Sequence, residues 1–268
     1  MPITAMWSPL HGACTTANTL ALAVCLAEGH DVKTLVTQTH FSLNNLELPL
    51  IGRTTINQDT YFSDFGLDTA TMLYKSNRFE KVVNATIPIG PAKDASLFLL
   101  PGTTQTNRET FDNAEERLVL KKVLRELGRY YSAVLIDANA GYGDQTQAVL
   151  EAADNIVICL RQNKRMIEEV LDSKMIQNFM EKEKNIFFLF GEYDDRSKMS
   201  LSNIRKMFRS AMNKMNIGAI PYDVGYRDSI SDCTAYRYLL RTIDLTDEDL
   251  DDGENWWYEV DQFAMKLI

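Results

Sequence analysis

The sequence predicts an α/β protein built on a doubly wound, mostly parallel sheet with helices on both faces. Short apolar runs rich in β-branched and aromatic residues alternate with longer amphipathic stretches, the pattern of parallel strands joined by crossover helices. Two of those runs, near residues 134 and 157, are almost continuously hydrophobic, as strands are when helices cover both faces. No repeat or low-complexity linker interrupts the alternation. With 268 residues, 45% of them apolar, the chain can fill one large core or two small ones.

The elements follow in order. "ITAMWS" (3–8) reads as the first strand, and the leucine- and alanine-rich stretch 15–28 as the helix after it. "VKTLVTQ" (32–38) and "SLFLLPG" (96–102) are short apolar runs of strand length, and roughly 113–130 is an amphipathic helix. "SAVLIDA" (132–138), a helix over 144–153, "NIVICLR" (155–161), a helix over 164–183, "NIFFLFG" (185–191) and a helix over 200–215 complete the alternation. An acidic connector, "DLTDEDLDDGEN" (244–255), reads as a solvated loop. The C-terminal segment 256–268 places Trp257, Val260, Phe263, Ala264 and Leu267 at helical spacing. Its polar side carries Glu259, Asp261 and a single Lys266, not the basic face of a membrane-surface helix, so it is expected to pack on the core or on a partner.

A formal net charge of −9, with acidic residues spread along the chain, gives duplex DNA or anionic lipid no general electrostatic attraction. The N-terminus lacks a basic segment followed by a long apolar run, and no window reaches the roughly 18 apolar residues of a membrane span. A cytoplasmic protein is expected. Cys14, Cys25, Cys159 and Cys233 are scattered without CxxC spacing, which suits reduced thiols.

In a doubly wound sheet, ligands bind at the carboxyl ends of the strands, so the turn after the first strand is the default site. There the sequence reads "WSPLHGACTTANTL" (7–20). Free N–H groups where the helix begins favour an anion. Gly12 permits close backbone approach, and Thr15 or Thr16 either caps the helix or offers a hydroxyl to Mg²⁺. The same residues also describe an ordinary capped strand-to-helix turn.

Three further stretches extend the pattern: "TQTHFSLNNLELPL" (37–50), "YYSAVLIDANAGYGDQTQAVLEAADNIVICLRQN" (130–163) and "IGAIPYDVGYRDSISDC" (217–233). In this order they resemble the switch region, the strand–aspartate–loop–helix–strand segment and the late "IPYD" stretch of the ParA/MinD family of P-loop ATPases. The resemblance covers nearly the whole chain, 1–268 as a single domain, and is closest in character to the TadZ/CpaE-like pilus-localisation proteins. It implies nucleotide contacts from His11, Gly12, Ala13, Cys14, Thr15, Thr16, His40 and Asp137, with Pro221 and Tyr222 near the base. It also implies Mg²⁺ held by Thr15 and Asp137.

The departures are chemical. The family loop reads KGGVGKTT, and its two lysines fall here on Pro9 and Cys14. The paired aspartates of the family switch fall on Gln38 and His40, and "FLFGEYDD" (188–195) offers no asparagine for adenine. Losing one charge-assisted hydrogen bond to an anion costs roughly 1.5–3 kcal/mol, so binding through backbone amides and Mg²⁺ can survive. Hydrolysis depends more heavily on positioned cations, and an arginine finger alone is worth about three to five decades. Lys164, Arg165 and Arg227 are the candidate replacements, each also an ordinary surface charge. His11, Cys14 and His40 also have zinc-ligand chemistry, but the HxxC spacing is short for a preformed site and no fourth ligand is evident, so ordinary polar lining residues are the favoured reading; as phosphate contacts the histidines would bring pH dependence.

The expected function is therefore a nucleotide-binding positioning or scaffold protein with weak or absent ATPase activity. ATP and Mg²⁺ are its expected cofactors, and a homodimer recruiting a pilus or secretion partner at a pole or membrane-associated machine its expected form. A plasmid, conjugative-element or chromosome partitioning ATPase that binds DNA is the alternative; "RQNKR" (161–165) and "NIRKMFR" (203–209) would be its contact stretches. An iron-protein-like reductase needs cysteines that bridge a cluster, a role for which Cys159 and Cys233 are poorly placed.

Overall fold

Eight strands form one sheet: β1 (Ile3–Trp7), β2 (Thr34–Gln38), β3 (Ile87–Ile89), β4 (Leu97–Leu100), β5 (Ala133–Asp137), β6 (Asn155–Leu160), β7 (Asn185–Tyr193) and β8 (Ile217–Pro221). They stand in the order β3-β4-β2-β5-β1-β6-β7-β8, parallel throughout except for the antiparallel β3–β4 pair. The computed structural model describes residues 2–40, 45–52, 64–90, 95–103, 113–182, 184–244 and 253–268. Most of the acidic connector and part of the switch-like stretch lie outside them. β1, β5 and β6 are buried along their whole length, which explains their unbroken apolar sequences.

Helices cover the sheet in two packed groups. One contains α1 (Thr15–Val24), which continues into a π turn over Cys25–Gly29. α9 (Val224–Ser231), α10 (Ala235–Asp244) and α11 (Gly253–Ala264) complete that group. The other contains α3 (Leu67–Lys75), α4 (Ala114–Leu127) and α5 (Asp144–Ala152). Short α2 (Glu47–Ile51) follows β2, and α8 (Leu201–Met207) precedes β8. The doubly wound α/β fold is as the sequence predicts.

Some boundaries differ for local reasons. The helix expected over 164–183 is two helices, α6 (Lys164–Leu171) and α7 (Lys174–Glu181), broken where Ser173 takes an extended conformation. The helix expected over 200–215 stops at Met207; beyond it Asn213 and Asn216 bond the local backbone, with Asn216 Oδ1 accepting from the Asn213 N–H at 2.8 Å. β8 does not stand out in the sequence, because its glycine and proline dilute its apolar run.

Gly218 in β8 has a packing role. A Cβ built there would stand 2.3 Å from Cδ2 of Phe263, the buried aromatic by which α11 lies on the sheet. Trp256, Val260, Ala264 and Leu267 are buried alongside it. Gly218→Ala is expected to destabilise the protein by roughly 1–3 kcal/mol through overpacking, read as a lower urea midpoint.

Candidate functional site

The chain winds from β1 to one side of the sheet through β2 and to the other through β6, so the switch point lies at the carboxyl ends of β1 and β5. Asp137, the last residue of β5, stands in register with Met6 of β1 and Gln38 of β2. The loops leaving those three strands therefore start around its carboxylate, which is wholly buried. Cross-loop bonds tie them together: Trp7 Nε1 donates to the Gly141 carbonyl at 2.8 Å, and the Asn139 N–H donates to Thr39 Oγ1 at 3.2 Å.

The Thr16 hydroxyl donates to Asp137 Oδ2 at 2.5 Å, fixing the first turn of α1 against β5. His40 Nε2 lies 3.2 Å from the same oxygen, within ion-pair reach but outside hydrogen-bond alignment. Asp137 Oδ1 is buried with no hydrogen-bond partner among the described residues. Burial works to strip the proton from His40, but Asp137 and then Glu47 more than offset it, so the imidazole stays charged to higher pH than an ordinary histidine.

Gln38 turns away from this cluster. Its Nε2 donates to both oxygens of Glu47, at 2.9 and 2.7 Å, and the Gly102 N–H adds a third bond to Glu47 at 2.8 Å. Burial holds the Glu47 carboxyl above its usual range against those bonds. Nothing in the spacing of the sequence marks Glu47 as part of the site.

Gly12 and Cys14 adopt φ of 80° and 59°, the left-handed region that glycine enters freely and cysteine does not. Cys14 is the N-cap of α1, and no side chain caps the helix, which leaves its first-turn amides available to an anion. Gly191 of β7 permits the approach, since a Cβ there would stand 2.8 Å from Cys14 Cβ. Burial, opposed less strongly by Arg161, pushes the Cys14 thiol up to about 12, so the side chain is uncharged at neutral pH.

Among the described residues, one cation holds the loop directly. Arg161, just past the end of β6, donates from Nε to the Gly12 carbonyl at 2.9 Å and pairs with Glu192. In the sequence it is the last residue of "NIVICLR" and the first of the basic stretch "RQNKR". Lys164 pairs with Glu168 at 3.5 Å on the surface of α6, Arg165 is exposed, and Arg227 bonds the Tyr222 hydroxyl at 3.0 Å.

His11, Gly12, Cys14, Thr15, Thr16 and His40 line one cleft of about 330 Å³. Its described lining holds no lysine or arginine. Ala13 is buried, and Pro221 and Tyr222 line a second cleft of about 760 Å³ with Glu192, Asp194 and Arg196. The two clefts adjoin where the Cys14 thiol meets Glu192. His11, Cys14 and His40 share the first cleft without converging to ligand distance; among the described residues, Cys25, His30 and Asp261 do so instead, at the other end of α1.

An open, mostly parallel sheet with an uncapped strand-to-helix turn at its switch point defines a doubly wound α/β fold that receives ligands at that edge. Within that class the fold is that of the ParA/MinD-family ATPases. The chain is similar over 98% of its length to 98% of a ParA family ATPase from Chlorobium tepidum TLS, with a TM-score of 0.71 and 15% identity. All of it aligns with 99% of a putative plasmid partition protein from Borrelia burgdorferi B31 bound to AMPPNP, at a TM-score of 0.70 and 17% identity. With the septum site-determining protein MinD from Pyrococcus horikoshii OT3, complexed with Mg-ADP, 99% of the chain aligns with 96%, at 0.64 and 17%. No family model matches the sequence, and no curated protein does.

The raised His40 pKa has a sign. Its stabilising contribution is fully present below about 6.5, the unfolded value, and is lost as pH rises through the higher folded value. Imidazole titration by NMR should place His40 above an ordinary histidine, and Asp137→Asn should bring it down.

Proposed function

We propose that this chain is a ParA/MinD-like nucleotide-binding positioning or scaffold protein with weak or absent ATPase activity. The observation that carries the proposal is the Asp137 carboxylate, buried beside the uncapped start of α1 with Oδ1 unpaired among the described residues. An unpartnered buried carboxylate oxygen is costly, and a water on a divalent cation would satisfy it. Thr16 already engages Oδ2, which leaves the Thr15 hydroxyl, also in the cleft, as the second group for Mg²⁺. Bound there, Mg²⁺ would neutralise phosphate charge.

His11, Gly12, Cys14, Thr15 and Thr16 would surround the phosphates, with the α1 amides as principal donors. Protonated His40 would add charge, so phosphate binding should strengthen as pH falls. The base would occupy the adjoining cleft beside Pro221 and Tyr222. With neutral Cys14 and Pro9 in place of lysines and Arg161 engaged elsewhere, transition-state charge meets few cations and turnover is slow. A nucleotide held without rapid hydrolysis suits a persistent homodimer that recruits a pilus- or secretion-type partner, TadZ/CpaE-like, in the cytoplasm at a pole or membrane-associated machine. No helix among the described residues is long and apolar enough to cross a membrane.

Likeness to the Borrelia partition protein favours a second reading, a DNA-partitioning ATPase. Against it, Arg161 and Lys164 in the first basic stretch are paired with Glu192 and Glu168. Duplex binding that weakens steeply with salt would select this alternative.

Light scattering after size exclusion, with and without Mg²⁺–ATP, and calorimetric titration of the nucleotide test the main reading. Binding with dimerisation and turnover near background is expected. Cys14→Lys should tighten binding by about one to two decades, one charge-assisted hydrogen bond. A strict monomer in both conditions, with no binding heat, would overturn the proposal.

A further inference from the structure

At the far end of α1, three side chains with metal-ligand chemistry converge. Cys25 opens the π turn, His30 follows it, and Asp261 arrives from α11. The Cys25 Sγ, a ring nitrogen of His30 and a carboxylate oxygen of Asp261 all lie within 4.8 Å of one another. Asp261 Oδ1 accepts from Cys25 Sγ at 3.8 Å and also pairs with His30 Nε2. One carboxylate oxygen thus faces both the thiol and the imidazole.

The backbone produces this meeting. In a regular α-helix, residues five apart point about 140° away from each other. The wider π turn, bonded i→i+5, swings residue 30 back over residue 25. Such turns are rare, and they recur at functional sites.

We infer that Cys25, His30 and Asp261 form a binding site for a zinc-class divalent cation that fastens α11 to the end of α1. One sulfur, one nitrogen and one oxygen donor suit Zn²⁺ or Co²⁺, whereas Mg²⁺ and Ca²⁺ require oxygen ligands. Around a tetrahedral zinc, sulfur and oxygen ligands stand about 3.6 Å apart, close to the 3.8 Å between Sγ and Oδ1. His30 and Asp261 must separate slightly from their direct contact. Their side chains, 30% and 27% exposed, have room to do so, and the same opening admits the ion and a water as fourth ligand.

The binding step balances. Cys25 loses its proton to solvent and binds as thiolate, neutral His30 offers the Nε2 lone pair, and Asp261 binds as carboxylate. One dication then meets two anionic ligands, and one proton is released when His30 starts neutral.

The full chain, stripped of metal with a chelator, is titrated with ZnCl₂ and with CoCl₂. One ion per chain is expected, and the cobalt form should show the visible bands of a tetrahedral centre with thiolate-to-cobalt charge transfer. His30→Gln, Asp261→Asn and Cys25→Ser should each weaken binding by at least about tenfold. Excess zinc should raise the Tm of the parent chain and not of His30→Gln. Because Cys25 is fully buried, the two partly exposed positions and the cobalt spectrum of the unsubstituted chain carry the test independently of any folding defect. No stoichiometric binding, a cobalt spectrum without the thiolate band, or binding that survives His30→Gln and Asp261→Asn would overturn the inference. So would binding abolished by Cys14→Ser instead, which would place the ion in the cleft.

Discussion

A carboxylate withdrawn from water in the middle of a sheet has to be answered by its neighbours, and Asp137 organises the carboxyl edge of this protein through that requirement. Thr16 answers from the first turn of α1 and His40 from the loop after β2. Strand register is the condition for both. A slip of one residue in β5 would turn Asp137 to the opposite face, where neither partner could reach it. The cleft thus depends on pairings set by the apolar faces of β1, β2 and β5, well below the surface where a ligand would sit.

The loop after β1 is stiffened from outside. Arg161 grips the Gly12 carbonyl while engaged with Glu192, and Cys14 sits uncharged against Gly191. In the proposed reading, anion affinity then comes mainly from amides fixed by the fold. Such donors hold a ground state and a transition state nearly alike, which gives binding without acceleration. In that same reading, such a loop suits a protein whose output is an assembly state.

The fold was legible because parallel strands covered on both faces must be apolar, and six of the eight strands announce themselves this way. β3 and β8 do not. They lie at the sheet edges, and β8 is defined by what α11 lays against Gly218. The helix break at Ser173 was hidden because the apolar periodicity continues across it into Ile176 and Phe179. At the site, the residues next to the loop could be named from the sequence, while Glu47 and Glu192 could not. Their roles arise from pairings with Gln38 and Arg161 that only the folded chain creates. The meeting of Cys25, His30 and Asp261 is equally hidden, because a π turn and a distant helix bring them together, whereas His11, Cys14 and His40 share a cleft as polar lining without converging.

The helix that begins at the cleft is enclosed by segments more than 200 residues further along the chain. Tyr226 donates its hydroxyl to the Ala17 carbonyl at 2.6 Å, Trp256 packs against Tyr226 in a tilted pair with ring centroids 4.9 Å apart, and Asp261 closes the far end on His30. During synthesis, α1 and the apolar face around it must wait until more than 200 further residues have emerged before these covers arrive. Until then the emerging chain carries a sheet with one side unfinished, a nascent state that exposes hydrophobic surface and invites chaperone capture or early pairing with another chain. Removing α11 would leave that state permanent, even though no residue lining the first cleft would be lost.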